Sequence, residues 1–201
     1  MHVTDLHRRS VEGFMARVDA VGAEAWAGPT PCPDWDVRAL VNHVVNEDLW
    51  TVPLMEGATI EEVGSRFDGD LLGDDPAAAT RAACETASMA TASGIVAGRT
   101  VHLSFGDTPA EEYAYQLAAD HVIHGWDLAA ATGGDRSIDT DVAEALAAWF
   151  ADREELYRGA GAIGPRPDGA AATAAGAGDD PVARLLMAFG RDPGWAPPAG
   201  G

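Results

Sequence analysis

From Asp120 to Ala129 the chain reads DHVIHGWDLA, which places two carboxylates, two imidazoles and an indole within one short helical segment. On a helix, residues four apart lie one turn apart on the same face, so Asp120 and His124 project together. A carboxylate oxygen beside an imidazole nitrogen suits zinc or a similar divalent cation, and the i, i+4 spacing aims both donors at one ion. Two donors are too few to hold it. The expected third is His43, halfway along an earlier predicted helix, provided that the two helices are neighbours in a bundle. His43, Asp120 and His124 would leave a fourth position open for water or substrate, as catalytic rather than closed structural metal sites do.

Other assignments compete within the same segment. His121 also precedes His124 by one turn and contends with Asp120 for the ligand role. It reads equally as a pocket wall, a group supporting the ligands or a surface residue. His102, in an extended segment, is a further imidazole that the fold could bring near. Asp127 reads as a group that orients an imidazole or pairs with an arginine, with a structural role preferred. Trp126 is two residues from His124, cannot share its face, and is expected in the core or at the pocket edge rather than stacked on a ligand. Gly125 inside a helix costs about 1 kcal/mol relative to alanine and suggests tight packing against another backbone or a ligand. Each histidine taken alone is also compatible with an ordinary hydrogen-bonded core residue.

Helices must position these groups. Apolar residues Val11, Phe14, Met15, Val18 and Val21 predict a first amphipathic helix over residues 3–26. The prolines of AGPTPCPDW break it, and Asp34 or Asp36 can cap a second helix from about Trp35 to Trp50 that carries His43. A Gly-punctuated acidic stretch follows, with room for one helical turn. The alanine-rich run from Pro76 to about Ser93 predicts a third helix whose weak apolar stripe suggests close or peripheral packing. RTVHLSFG is extended, as a short strand or a linker. Thr108-Pro109-Ala110-Glu111 has the pattern of a helix start, with a threonine cap, proline at the first helical position and glutamate three residues after the cap. That helix runs to Thr132, where Gly133-Gly134 stops it. Asp139 or Thr140 can cap a fifth helix to about Arg158. Residues 159–180 are mostly Gly, Ala and Pro and read as a loosely packed loop, followed by one short capped helix in DDPVARLLMAFGRDP and a frayed PPAGG end.

Composition narrows the class of function. The 201 residues suit one domain, 1–201, and 47% apolar content supports a globular core. Thirteen basic residues, all arginine, against 32 acidic ones give a formal charge of -19, which argues against nucleic acid as a partner. No run of about 18 uncharged apolar residues could span a bilayer, and the first residues lack the pattern of a secretory signal, so a cytoplasmic location is expected. Cys32 and Cys84 allow at most one disulfide and are expected to be free thiols.

Three blocks in order, TPCPDWDVRALVNHVV, DHVIHGWDLAAATG and DPVARLLMAFGRDP, give the chain a broader resemblance. Together they resemble the actinobacterial metal-binding proteins related to the amino-terminal domain of mycothiol-dependent maleylpyruvate isomerase, within the DinB-like superfamily. The resemblance implies an all-α, DinB-like four-helix bundle, here with a short extra carboxyl-terminal helix. It implies a metal held by His43, Asp120 and His124, with an aspartate where the isomerase has a glutamate. It further implies mycothiol as co-substrate and a thiol S-transferase or isomerase-like activity. Zinc is the expected ion: a free thiol of pKa about 8.5 is mostly protonated at neutral pH, whereas a zinc-bound thiol is deprotonated. Cys32, just before the second helix, borders such a pocket or is a buried structural thiol. The partners implied are a small thiol and a small electrophile, with no membrane, and a homodimer is one assembly the sequence allows. A non-catalytic metal-binding or stress-related module, or a helical interaction protein whose histidines only pack, are the competing readings.

Overall fold

The computed structural model describes residues 1–167 and 180–198. The central part of the expected Gly/Ala/Pro loop, 168–179, and the final residues 199–201 lie outside the described residues. The elements are α1 (Val3–Asp19), α2 (Val37–Met55), α3 (Ile60–Val63), α4 (Pro76–Val96), β1 (Thr100–Leu103), β2 (Gly106–Pro109), α5 (Ala110–Thr132), α6 (Thr140–Phe150), α7 (Glu154–Gly159) and α8 (Pro181–Ala188). Among the described residues the fold is all-α apart from one antiparallel hairpin, with α1, α2, α4 and α5 forming a DinB-like four-helix bundle. Among the described residues no helix is long and apolar enough to cross a membrane.

Local chemistry sets most of the boundaries. In α1 the buried residues Val3, Leu6, Val11, Phe14 and Val18 recur at helical spacing, and the helix ends at Asp19 rather than near residue 26. Residues 23–25 form only a 3-10 turn. Asp36 caps α2 by accepting a hydrogen bond from the Ala39 backbone N–H at 2.8 Å. The helix continues past Trp50 to Met55, carrying Pro53 in its last turn. Asp75 caps α4 in the same way, with Pro76 opening the helix, and α4 runs to Val96.

The start of α5 differs from the expected cap. Thr108 pairs with Val101 in the hairpin, its hydroxyl donates to the Gly106 carbonyl at 3.3 Å, and Pro109 precedes the first helical residue. Strand pairing therefore takes the threonine that the sequence pattern assigns to capping. Gly133, at φ 72, ends the helix in the left-handed conformation that glycine adopts without a Cβ clash. The expected fifth helix is two helices. The chain turns at residues 151–153, which brings Tyr157 edge-on to Phe150 at 5.4 Å and Arg153 onto Glu112 at 2.7 Å.

α5 is the axis of the molecule. One side packs through Ile123, Trp126 and Ala130 against Leu146 and Phe150 of α6 and Leu185 and Leu186 of α8. Another, through Leu128, joins Val11, Phe14, Val41, Val44 and Leu72. Its first turns meet Leu54, Met55 and Val101 through Tyr113 and Leu117. A helix buried on several sides has little reason to be strongly amphipathic, and α5 is not. α4 meets its neighbours through small buried residues, including Ala83, Ala87 and Gly94.

Gly125 corrects one expectation. A Cβ built there would meet Arg17 Cδ at 3.6 Å and Phe14 at 3.7 Å, which is ordinary contact, so α1 leaves room for a methyl group. The tight approach is at Gly94, where a Cβ would lie 2.6 Å from Met55 Sδ. Gly125→Ala is expected to stabilise the protein by up to about 1 kcal/mol through helix propensity, and Gly94→Ala to destabilise it. Urea unfolding checks both; a loss of stability in Gly125→Ala would show that the α1–α5 contact tolerates no added carbon.

Candidate metal centre

α2 and α5 are neighbours, and their facing sides bring three sequence-predicted residues together. Asp120 Oδ1 lies 3.5 Å from His43 Nε2 and 3.4 Å from His124 Nε2. One donor atom from each of His43, Asp120 and His124 lies within 4.8 Å of the others. His124 is buried, whereas the His43 and Asp120 side chains retain 28% and 27% exposure, so the group opens to solvent on one side. The second oxygen, Asp120 Oδ2, is buried without a hydrogen-bond partner. Trp35, at the entry to α2, stacks on His43 with ring centroids 4.6 Å apart and leans over His124 at 5.6 Å.

Charge reinforces this geometry. Burial opposes ionisation of Asp120, but the imidazoles of His124 and His43 beside it hold its carboxyl well below the usual range. Burial likewise opposes protonation of His124, and Asp120 together with Asp127 outweighs it, raising the imidazole well above its ordinary value. Glu47 is one helical turn after His43 on α2, half-buried, and is pushed up to about 6 by burial and by the negative charge of Asp120.

A further set of contacts orients His124. Its Nδ1 donates to Asp127 Oδ2 at 3.0 Å, which turns Nε2 toward Asp120. This is the arrangement by which a carboxylate fixes the tautomer of a ligating imidazole. Asp127 is fully buried and in turn accepts from Arg191 Nη2 at 2.8 Å. Cys32 closes the group, its Sγ lying 3.4 Å from Asp127 Oδ2 and 3.2 Å from Arg191 Nη2. The two readings offered for Asp127, orienting an imidazole and pairing with an arginine, both hold. Arg191 follows α8, so the short last helix delivers a charged group to the inner side of this site.

The remaining candidates lie elsewhere. His121 points away from the three, with Nδ1 2.7 Å from the Leu117 carbonyl and Nε2 3.2 Å from Asp48 Oδ2. His102 is on the hairpin, paired with Asp107 at 2.7 Å. Trp126 is in the core, with the Arg136 guanidinium over its ring at 5.7 Å. Sequence reasoning missed Trp35, Glu47 and Arg191. The spacing rule that joins Asp120 to His124 also joins His43 to Glu47, so that signal was present. Nothing local marks Arg191, which is 64 residues from Asp127. Two imidazole nitrogens, a carboxylate oxygen and an orphaned buried oxygen make a donor set that fits a divalent cation.

Comparison with known proteins gives the family. Residues 7–129 match the family model of the mycothiol maleylpyruvate isomerase N-terminal domain. Two Mycobacterium tuberculosis proteins are similar: the uncharacterized protein Rv0738 of strain H37Rv and the uncharacterized protein MT0763 of strain CDC 1551 / Oshkosh. Each is 34% identical over 160 residues, covering 77% of this chain and 81% of the relative. No solved structure matches. Two-helix presentation of the His43, Asp120 and His124 side chains thus occurs within the matched region, and the chain belongs to the mycothiol maleylpyruvate isomerase N-terminal domain family.

Proposed function

We propose that His43, Asp120 and His124 hold a divalent cation, zinc by the nature of the donors, and that the protein is a mycothiol-dependent thiol S-transferase or isomerase-like enzyme acting on a small electrophile. The observation that carries this reading is the chain Arg191–Asp127–His124, which presents Nε2 of His124 to the same carboxylate oxygen that His43 faces. Family membership supports mycothiol as the thiol. The bound cation would lower the pKa of an incoming thiol, so that its sulfur is deprotonated at neutral pH.

The chain's own side chains supply the rest. Asp127 and Arg191 fix the ring of His124, so binding does not have to order it. Trp35 covers one face of His43 and keeps that side of the site dry. Glu47, whose carboxyl is pushed up to about 6 by burial and by Asp120, stands beside the donors and is the group placed to receive the proton that a thiol gives up. The partly exposed edges of His43 and Asp120 give a small thiol and an electrophile access from solvent.

Two measurements test the proposal. In protein purified without an affinity tag, His43→Ala and His124→Ala should each lower bound metal by about one ion per chain. Both should also reduce metal-dependent mycothiol consumption with a panel of electrophiles by roughly 100-fold or more. Unchanged metal content would reject the ligands; loss of metal without any wild-type turnover would leave a metal-binding module. The second measurement is pH dependence. His124 in the metal-free protein binds a proton well above its ordinary value. Proton and cation therefore compete for the same imidazole, and lower pH favours the proton. Apparent metal affinity, measured by chelator competition, should rise roughly tenfold per pH unit between about pH 6 and 8. A flat profile would contradict the assignment of His124.

A further inference from the structure

A second group of donors lies in the bundle core, separate from the site above, and each of the four bundle helices contributes one member: His7 from α1, Asp48 from α2, Cys84 from α4 and His121 from α5. Cys84 Sγ lies 3.1 Å and His121 Nε2 3.2 Å from Asp48 Oδ2, and donor atoms of these three residues lie within 4.8 Å of one another. All are sealed from solvent: Asp48 and Cys84 at 0%, His121 at 1% and His7 at 3% exposure. His121 Nδ1 donates to the Leu117 carbonyl at 2.7 Å, which leaves Nε2 of a neutral ring with its lone pair aimed at the cluster. His7 stands edge-on to His121 with ring centroids 5.9 Å apart.

The group is under-satisfied as it stands. His7 Nε2 and Asp48 Oδ1 are buried without a hydrogen-bond partner. Each such atom ordinarily carries an unrecovered desolvation penalty, and an ordinary buried ion pair between His121 and Asp48 satisfies neither. A divalent cation would engage Asp48, Cys84 and His121 where they stand, and the unpartnered Nε2 of His7, whose ring is edge-on to His121, is the fourth donor once its side chain adjusts. With Cys84 as thiolate and Asp48 as carboxylate, the two negative charges cancel a doubly positive ion, so the filled site carries no net charge in the core. Tetrahedral zinc spaces oxygen, nitrogen and sulfur ligands roughly 3.3–3.7 Å apart, a few tenths of an ångström beyond the separations of Cys84 Sγ and His121 Nε2 from Asp48 Oδ2.

We propose that His7, Asp48, Cys84 and His121 form a second, closed site for a borderline-soft divalent cation of the zinc class, which ties the four bundle helices together. Thiolate, carboxylate and two imidazoles complete a four-coordinate shell with no position for a substrate, so this ion is structural. It enters during folding, since the donors are closed off in the folded chain.

Refolding the full-length protein from denaturant with cobalt(II), in the absence of added thiol, tests the site. Wild type should show a near-ultraviolet thiolate-to-cobalt charge-transfer band. The chain has two cysteines, so Cys32→Ser should keep the band, which then belongs to Cys84, and Cys84→Ser should lose it. The double variant His43→Ala/His124→Ala should retain the band and one ion per chain, which separates failure of the outer site from failure of this one. No thiolate band in wild type, or its loss in Cys32→Ser, would overturn the proposal. If Cys84→Ser does not fold, wild type and Cys32→Ser decide the question.

Discussion

One carboxylate oxygen, Asp120 Oδ1, has imidazole nitrogens from two helices within 3.5 Å, and the packing of α2 on α5 brings them there. Such a convergence is costly to assemble without a purpose. Its second oxygen is buried and orphaned, burial and the charge of Asp120 push the nearby Glu47 carboxyl up, and Asp120 and Asp127 raise the His124 imidazole against its burial. A cation held there, as proposed, would relieve these strains together, because it would take lone pairs that the protein leaves unengaged and offset the carboxylate charges. The rest of the site follows from the need to keep Nε2 of His124 turned the right way.

That orientation depends on residues far apart in sequence. Asp127 is on the same helix as His124, but its own charge is balanced by Arg191, beyond α8. The last helix is therefore more than a lid on the hydrophobic core between α5 and α6. Its Leu185 and Leu186 anchor it by apolar burial, and Arg191 transmits that anchorage to the donors. Cys32, from the loop between α1 and α2, joins the same hydrogen-bonded group, so that loop and the segment after α8 meet beside the candidate centre.

The sequence made local relationships legible. Asp120 and His124 follow from helical spacing, the caps at Asp36 and Asp75 from side-chain chemistry, and the end of α5 from Gly133. His43 was within reach once α2 and α5 were taken as neighbours. Relationships made by tertiary packing were harder. Thr108 reads as a cap until its pairing with Val101 is known, and the continuous fifth helix breaks because Arg153 and Tyr157 have partners elsewhere. His121 contended for a ligand role because one-turn spacing does not say which side of α5 faces α2 at which depth. The structure turns His121 inward, to Asp48. Glu47 was accessible by the same spacing rule, applied to α2 instead of α5.

The central claim is spatial, and diffraction from metal-loaded crystals at the absorption edge of the bound ion tests it most directly. An anomalous peak is expected between His43 Nε2, a carboxylate oxygen of Asp120 and His124 Nε2, at roughly 2.0–2.2 Å from each. A fully loaded crystal with no peak between those three atoms would contradict it.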